Sequence, residues 1–71
     1  MDNVREKKAL GAKIKASREM QGISQRRFAL MTGTSRSYLW KIESGAADIG
    51  IDVLIRIARA LGTTVKELVD F

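Results

Sequence analysis

Glycines at positions 22, 33, 45 and 62, in a chain without proline, divide the sequence into short segments that each carry helical periodicity. Glycine is favoured just past a helix end, because it reaches left-handed φ without steric cost. No apolar/polar alternation of strand type persists outside these segments. The first helix is expected over about Val4–Gln21, with Asn3 and Glu6 as a capping pair and Leu10, Ile14, Ser17 and Gln21 on its inner stripe. The second starts at Ser24 as N-cap and covers about Gln25–Met31, with Phe28 and Ala29 inward. The third starts at Ser35 and covers about Arg36–Ser44, with Leu39 and Ile42 inward. The fourth covers about Ile51–Leu61 with Leu54, Ile55, Ala58 and Leu61 on one side. The fifth starts at Thr64, with Glu67 completing a capping box, and carries Val65, Leu68 and Val69. The spacing therefore predicts an all-α, compact five-helix domain occupying residues 1–71 as a single unit.

Composition narrows the chemistry. There is no Cys and no His among the 71 residues. Disulfides, thiolate nucleophiles, the usual metal ligand and the usual general base are therefore absent. Neither an enzyme nor a metal or cofactor protein is expected, and no small-molecule site is evident. No apolar run approaches the ~20 residues that span a bilayer, and the N-terminal MDNVREKKAL lacks the apolar stretch of a signal peptide. Charge is asymmetric: residues 1–47 hold ten Lys/Arg against four Asp/Glu, and residues 48–71 hold three against four. A basic front of this kind suits an acidic partner, although a solvated surface would look the same.

The second and third helices are joined by Thr32-Gly33-Thr34. Two short helices with a tight Gly-containing turn form a helix-turn-helix unit, here at about 24–44. Its physical requirements are met by Ala29, small where the helices cross, and by Gly33, tolerant of positive φ in the turn. On the third helix, positions 37, 40, 41 and 44 follow i, i+3, i+4 and i+7, so Ser37, Trp40, Lys41 and Ser44 share a face opposite Leu39 and Ile42. From spacing alone, this hairpin serves either as plain structure or as a DNA reader.

The stretch LGAKIKASREMQGISQRRFALMTGTSRSYLWKIESG followed by VLIRIARALGTTVKEL resembles the phage repressor/Cro-type helix-turn-helix family over about five-sixths of the chain. The resemblance implies a sequence-specific regulator of transcription, of the repressor kind, acting as a homodimer on an inverted repeat in double-stranded DNA. It also implies a cytoplasmic, nucleoid-associated location in a bacterium or phage. Gln25 matches a position that contacts a phosphate and buttresses the recognition helix, with Arg26 basic beside it. Ser35, Arg36, Ser37 and Lys41 match positions that approach base edges or phosphates, and Trp40 and Ser44 lie on the same face. Arg36 suits guanine, whose O6 and N7 accept paired donors. Arg18 and Glu43 match a salt bridge tying the first helix to the third. Val65, Leu68, Val69 and Phe71 sit where this family often builds its dimer.

Two departures from that pattern bear on strength. Thr32 and Thr34 replace apolar residues, which predicts a slightly less stable turn. After Gly45, Ala46-Ala47-Asp48-Ile49 replaces a basic residue and a proline, which removes one phosphate contact and adds an acid. These features, with the unusual Trp40, keep a second reading open: a protein-interaction module on the same fold, such as an antitoxin or antirepressor partner.

Overall fold

The structure is a computed structural model that describes residues 3–70. Five helices follow one another: α1 (Val4–Met20), α2 (Gln25–Thr32), α3 (Arg36–Ser44), α4 (Ile51–Leu61) and α5 (Val65–Leu68). The start signals act as the sequence predicts in three places. Ser24, Ser35 and Thr64 each take an extended backbone and accept a hydrogen bond from the backbone N–H three residues on, at 3.0–3.1 Å. Asn3 does not act as the expected cap. Its ψ of 41° lies outside the extended conformation that capping residues take, and it forms no capping bond. At Thr64 the box is half formed, because the Glu67 carboxylate accepts from Thr63 Oγ1 instead.

The first four helices end alike. Gly22, Gly33, Gly45 and Gly62 all have positive φ, and the residue after each returns its N–H to a carbonyl five positions back. This is the Schellman closure that left-handed glycine permits.

The core is one cluster: Ile14 of α1, Phe28 and Ala29 of α2, Leu39 and Ile42 of α3, Leu54, Ile57, Ala58 and Leu61 of α4, and Leu68 of α5. Burial of each Ile, Leu or Phe in this cluster contributes about 1.5–3 kcal/mol. The stripes are rotated relative to two sequence expectations. On α4, Ile57 is fully buried and Ile55 lies at the boundary. On α1, Gly11, Ile14 and Arg18 face inward, whereas Ser17 is half-buried and Gln21 is exposed, its amide donating to the Leu61 carbonyl at 2.9 Å.

The threonine turn loses no hydrogen bonds. Thr32 is fully buried, yet its hydroxyl donates to the Phe28 carbonyl at 2.8 Å and lies 3.0 Å from Thr34 Oγ1. A buried hydroxyl is expensive only when unpaired, so the turn avoids most of the expected penalty. The Thr32 carbonyl in turn accepts from Arg56 Nε at 2.8 Å, which fastens α2 to α4.

Helix α1 lies hard against the C-terminal half of α3. A Cβ on Gly11 would overlap the Ile42 carbonyl oxygen and come within 2.8 Å of the Glu43 carbonyl oxygen. A Cβ on Gly45 would reach within 2.6–3.0 Å of Lys8 atoms, two of them backbone. Glycine on both sides thus lets the two backbones touch.

Candidate nucleic-acid interface

What holds α3 in place is a buried ionic network. Arg18 and Glu43 are 6 % and 7 % exposed. Arg18 Nε donates to Glu43 Oε2 at 2.7 Å and a terminal nitrogen donates to Oε1 at 3.0 Å, the bidentate fork that suits guanidinium and carboxylate. The other terminal nitrogen donates to the Ile23 carbonyl at 2.6 Å. Gln25 Nε2 donates to Glu43 Oε1 at 3.0 Å, so one carboxylate on α3 gathers α1 and the start of α2. The hydrogen bond to Glu43 raises the Arg18 pKa above its ordinary value, against the opposing effect of burial. Among the described residues, no buried side-chain polar atom lacks a partner.

The opposite face of α3 is open. Ser35, Arg36, Ser37, Lys41 and Ser44 are exposed, and Trp40 is 58 % exposed. Trp40 is therefore not a core residue. Two serines on this face have local work: Ser35 Oγ caps the helix, and Ser44 Oγ donates to the Lys41 carbonyl at 3.0 Å. Tyr38, which the sequence leaves unassigned, is half-buried and its hydroxyl donates to the Asp48 carbonyl at 2.9 Å. That bond pins the α3–α4 loop to the start of α3. The acid expected there, Asp48, is exposed and ion-paired with Lys7 of α1, so its charge is partly offset.

On α2, Gln25 is half-buried beside α3, and Arg26 and Arg27 are exposed. The residues expected at a dimer contact separate. Leu68 is only 3 % exposed and belongs to the core; α5 is short and spends it on closing the domain. This corrects its assignment as an interface side chain. Val65 packs partly against the core, Val69 is 41 % exposed, and Phe71 lies outside the described residues. Sequence reasoning missed Gly11, because a glycine inside a helix reads only as a weak helix former. It also left Lys15 without a role, although Lys15 lines a shallow cleft with Gln25, Trp40, Glu43 and Ser44.

No group of three or more potential metal ligands is present among the described residues, and no helix there is long and apolar enough to cross a membrane. A basic, solvent-facing helix fixed from behind by a second helix at a glycine turn defines a helix-turn-helix DNA-binding domain. The chain belongs to the helix-turn-helix family HTH_3, which it matches over residues 14–68. Over 48 residues, 68 % of its length, it is 38 % identical to the HTH-type transcriptional regulator y4dL of Sinorhizobium fredii, of which it spans 24 %. It is 32 % identical to the control protein C.BamHI of Bacillus amyloliquefaciens over 86 % of this chain and 76 % of that one. The fold superposes with a TM-score of 0.81 on SinR, a master regulator for biofilm formation solved in complex with DNA. That match is 31 % identical and covers 86 % of this chain and 98 % of the SinR chain in that complex. The chain is thus a DNA-binding regulator of transcription, all-α in architecture, as the resemblance implies.

Proposed function

We propose that the protein binds double-stranded operator DNA with α3 in the major groove, as a homodimer on an inverted repeat, and represses where that operator overlaps a promoter. The observation that carries this reading is the division of α3. Its inner face is locked by the core and by Glu43, while Arg36, Ser37, Trp40 and Lys41 stand free on the outer face. The complex of SinR with DNA supports the same use of the fold. The role is binding rather than catalysis, in keeping with a buried carboxylate already engaged by Arg18 and Gln25. A cytoplasmic, nucleoid-associated location follows from that role.

In this reading Arg36 and Lys41 specify sequence, with Ser35 and Ser37 beside them, while Gln25, Arg26 and Ser44 position the phosphate backbone. Arg36→Ala is expected to cost about 1–3 kcal/mol on the preferred duplex and little on random DNA. Titration of both duplexes by fluorescence anisotropy checks it; equal weakening on the two would remove Arg36 from base reading.

For the dimer, Val69 is the exposed one of the three expected residues that are described, and two recognition helices must lie about 34 Å apart to meet successive major grooves. Sedimentation with an inverted-repeat duplex is expected to give two protomers per duplex, and Val69→Lys is expected to weaken assembly without unfolding the chain. Saturation at one protomer per duplex overturns the homodimer.

A further inference from the structure

The lysines of α1 do not share one role. Lys7 pairs with Asp48. Lys13 Nζ donates to the carbonyl oxygens of Glu67 and Asp70, closing the end of α5. Among the described residues the ion pairs are Lys7–Asp48 and Arg18–Glu43, and Lys15 has neither an ion-pair nor a hydrogen-bond partner. Its position follows from helix geometry. Gly11, Ile14 and Arg18 face inward, so Lys15, four after Gly11 and three before Arg18, rises along the edge of α1 that borders α3.

There it meets two groups of different chemistry. The Gln25 amide has two N–H donors, and Glu43 takes one of them at 3.0 Å. The tether fixes the amide and leaves the second N–H for a ligand. Trp40, the only tryptophan in the chain, also lines the cleft, with more than half its surface in water. An unpaired cation, a held amide donor and a bare indole side by side match a sugar–phosphate unit, whose anion takes the donors and whose sugar face takes the ring.

The geometry points to an extension of the DNA interface from the helix-turn-helix onto α1. Lys15 and Gln25 grip one phosphodiester, and the Trp40 indole packs on the adjoining deoxyribose, so that Trp40 positions the duplex rather than reading a base. This rests on the DNA-binding reading above. The ligand is the phosphodiester backbone of duplex DNA, and the contact is indifferent to sequence.

Salt titrations of binding test it. Each phosphate contact contributes about 0.9 to the slope of log K against log salt. Lys15→Gln is expected to lower the slope by about that amount and to weaken operator and random duplex by the same factor. Lys66→Gln, a change of equal charge on α5, is expected to leave the slope alone. Trp40 emission is expected to change on saturation with either duplex, and Trp40→Ala to weaken both equally. The inference is overturned if Lys15→Gln leaves the slope unchanged or matches Lys66→Gln. It is also overturned if Trp40 emission does not respond, or if Trp40→Ala reorders the preferred bases. Wild-type protein that binds no duplex at all would instead overturn the DNA-binding reading itself.

Discussion

Replacing Glu43 with alanine is expected to destabilise the protein by about 3–5 kcal/mol in the absence of any DNA. The substitution removes the partner of a guanidinium that is only 6 % exposed, and leaves that charge in a site water cannot properly reach. It also frees the Gln25 amide, whose described bond is to Glu43. A chain of 71 residues has a total stability of roughly 4–11 kcal/mol at about 0.05–0.15 kcal/mol per residue, so the variant should lie close to unfolding at ambient temperature. Urea titration followed by circular dichroism measures this directly. A companion variant sharpens the cause: Arg18→Met with Glu43→Leu removes both charges and should recover much of the loss, since an apolar pair of similar volume often replaces a buried ion pair at little cost. An unchanged midpoint for Glu43→Ala alone would mean that the network carries no stability.

Gly11→Ala is expected to destabilise by about 2 kcal/mol, against the sign that helix propensity predicts. Alanine is the better helix former by about 1 kcal/mol, and at a free position inside a 17-residue helix it would stabilise. Here the new Cβ would overlap carbonyl oxygens of Ile42 and Glu43. These are backbone atoms in the last turns of α3, so they cannot swing aside as a side chain would; α1 and α3 must move apart, and overpacking of this sort costs about 1–3 kcal/mol or more. The displacement should also weaken operator binding, because α3 is the helix that moves. Gly22→Ala is the comparison. No atom lies within 4 Å of its Cβ position, so only the left-handed φ of 70° opposes it, and a loss of about 1–2 kcal/mol with unchanged DNA affinity is expected. Thermal melts and anisotropy on both variants separate the two effects. A more stable Gly11→Ala protein would show that the helices have room between them.

How far the sequence reveals the fold depends on whether a signal is local. The bounds of α3 are legible to the residue, because Ser35 and Gly45 are a cap and a left-handed stop that act within one turn. The Arg18–Glu43 pair is 25 positions apart and was legible only through resemblance to a family. The rotation of α4 was harder to read. Ile51, Ile55 and Ile57 are all apolar, and periodicity alone does not say which of them the other helices cover; Ile57 is buried and Ile51 is 62 % exposed. Gly11 was invisible for the same reason in stronger form, since its purpose exists only where α1 meets α3. At the candidate interface, the outer face of α3 was legible from i, i+3, i+4 spacing. The cleft with Lys15 was not, because it is assembled from three helices.

The division of α3 also has a consequence for how such a protein can change its target. The contacts that fix α3 from behind come from Leu39, Ile42, Glu43 and the backbone at Gly45, with Tyr38 packed on the core edge and holding the loop. Arg36, Ser37 and Lys41 contribute no described side-chain bond to the rest of the molecule. If α3 reads bases as proposed, new residues at those three places redirect the domain to a different stretch of genome while its scaffold stays intact. Address and chassis occupy the same nine-residue helix and can still be inherited separately.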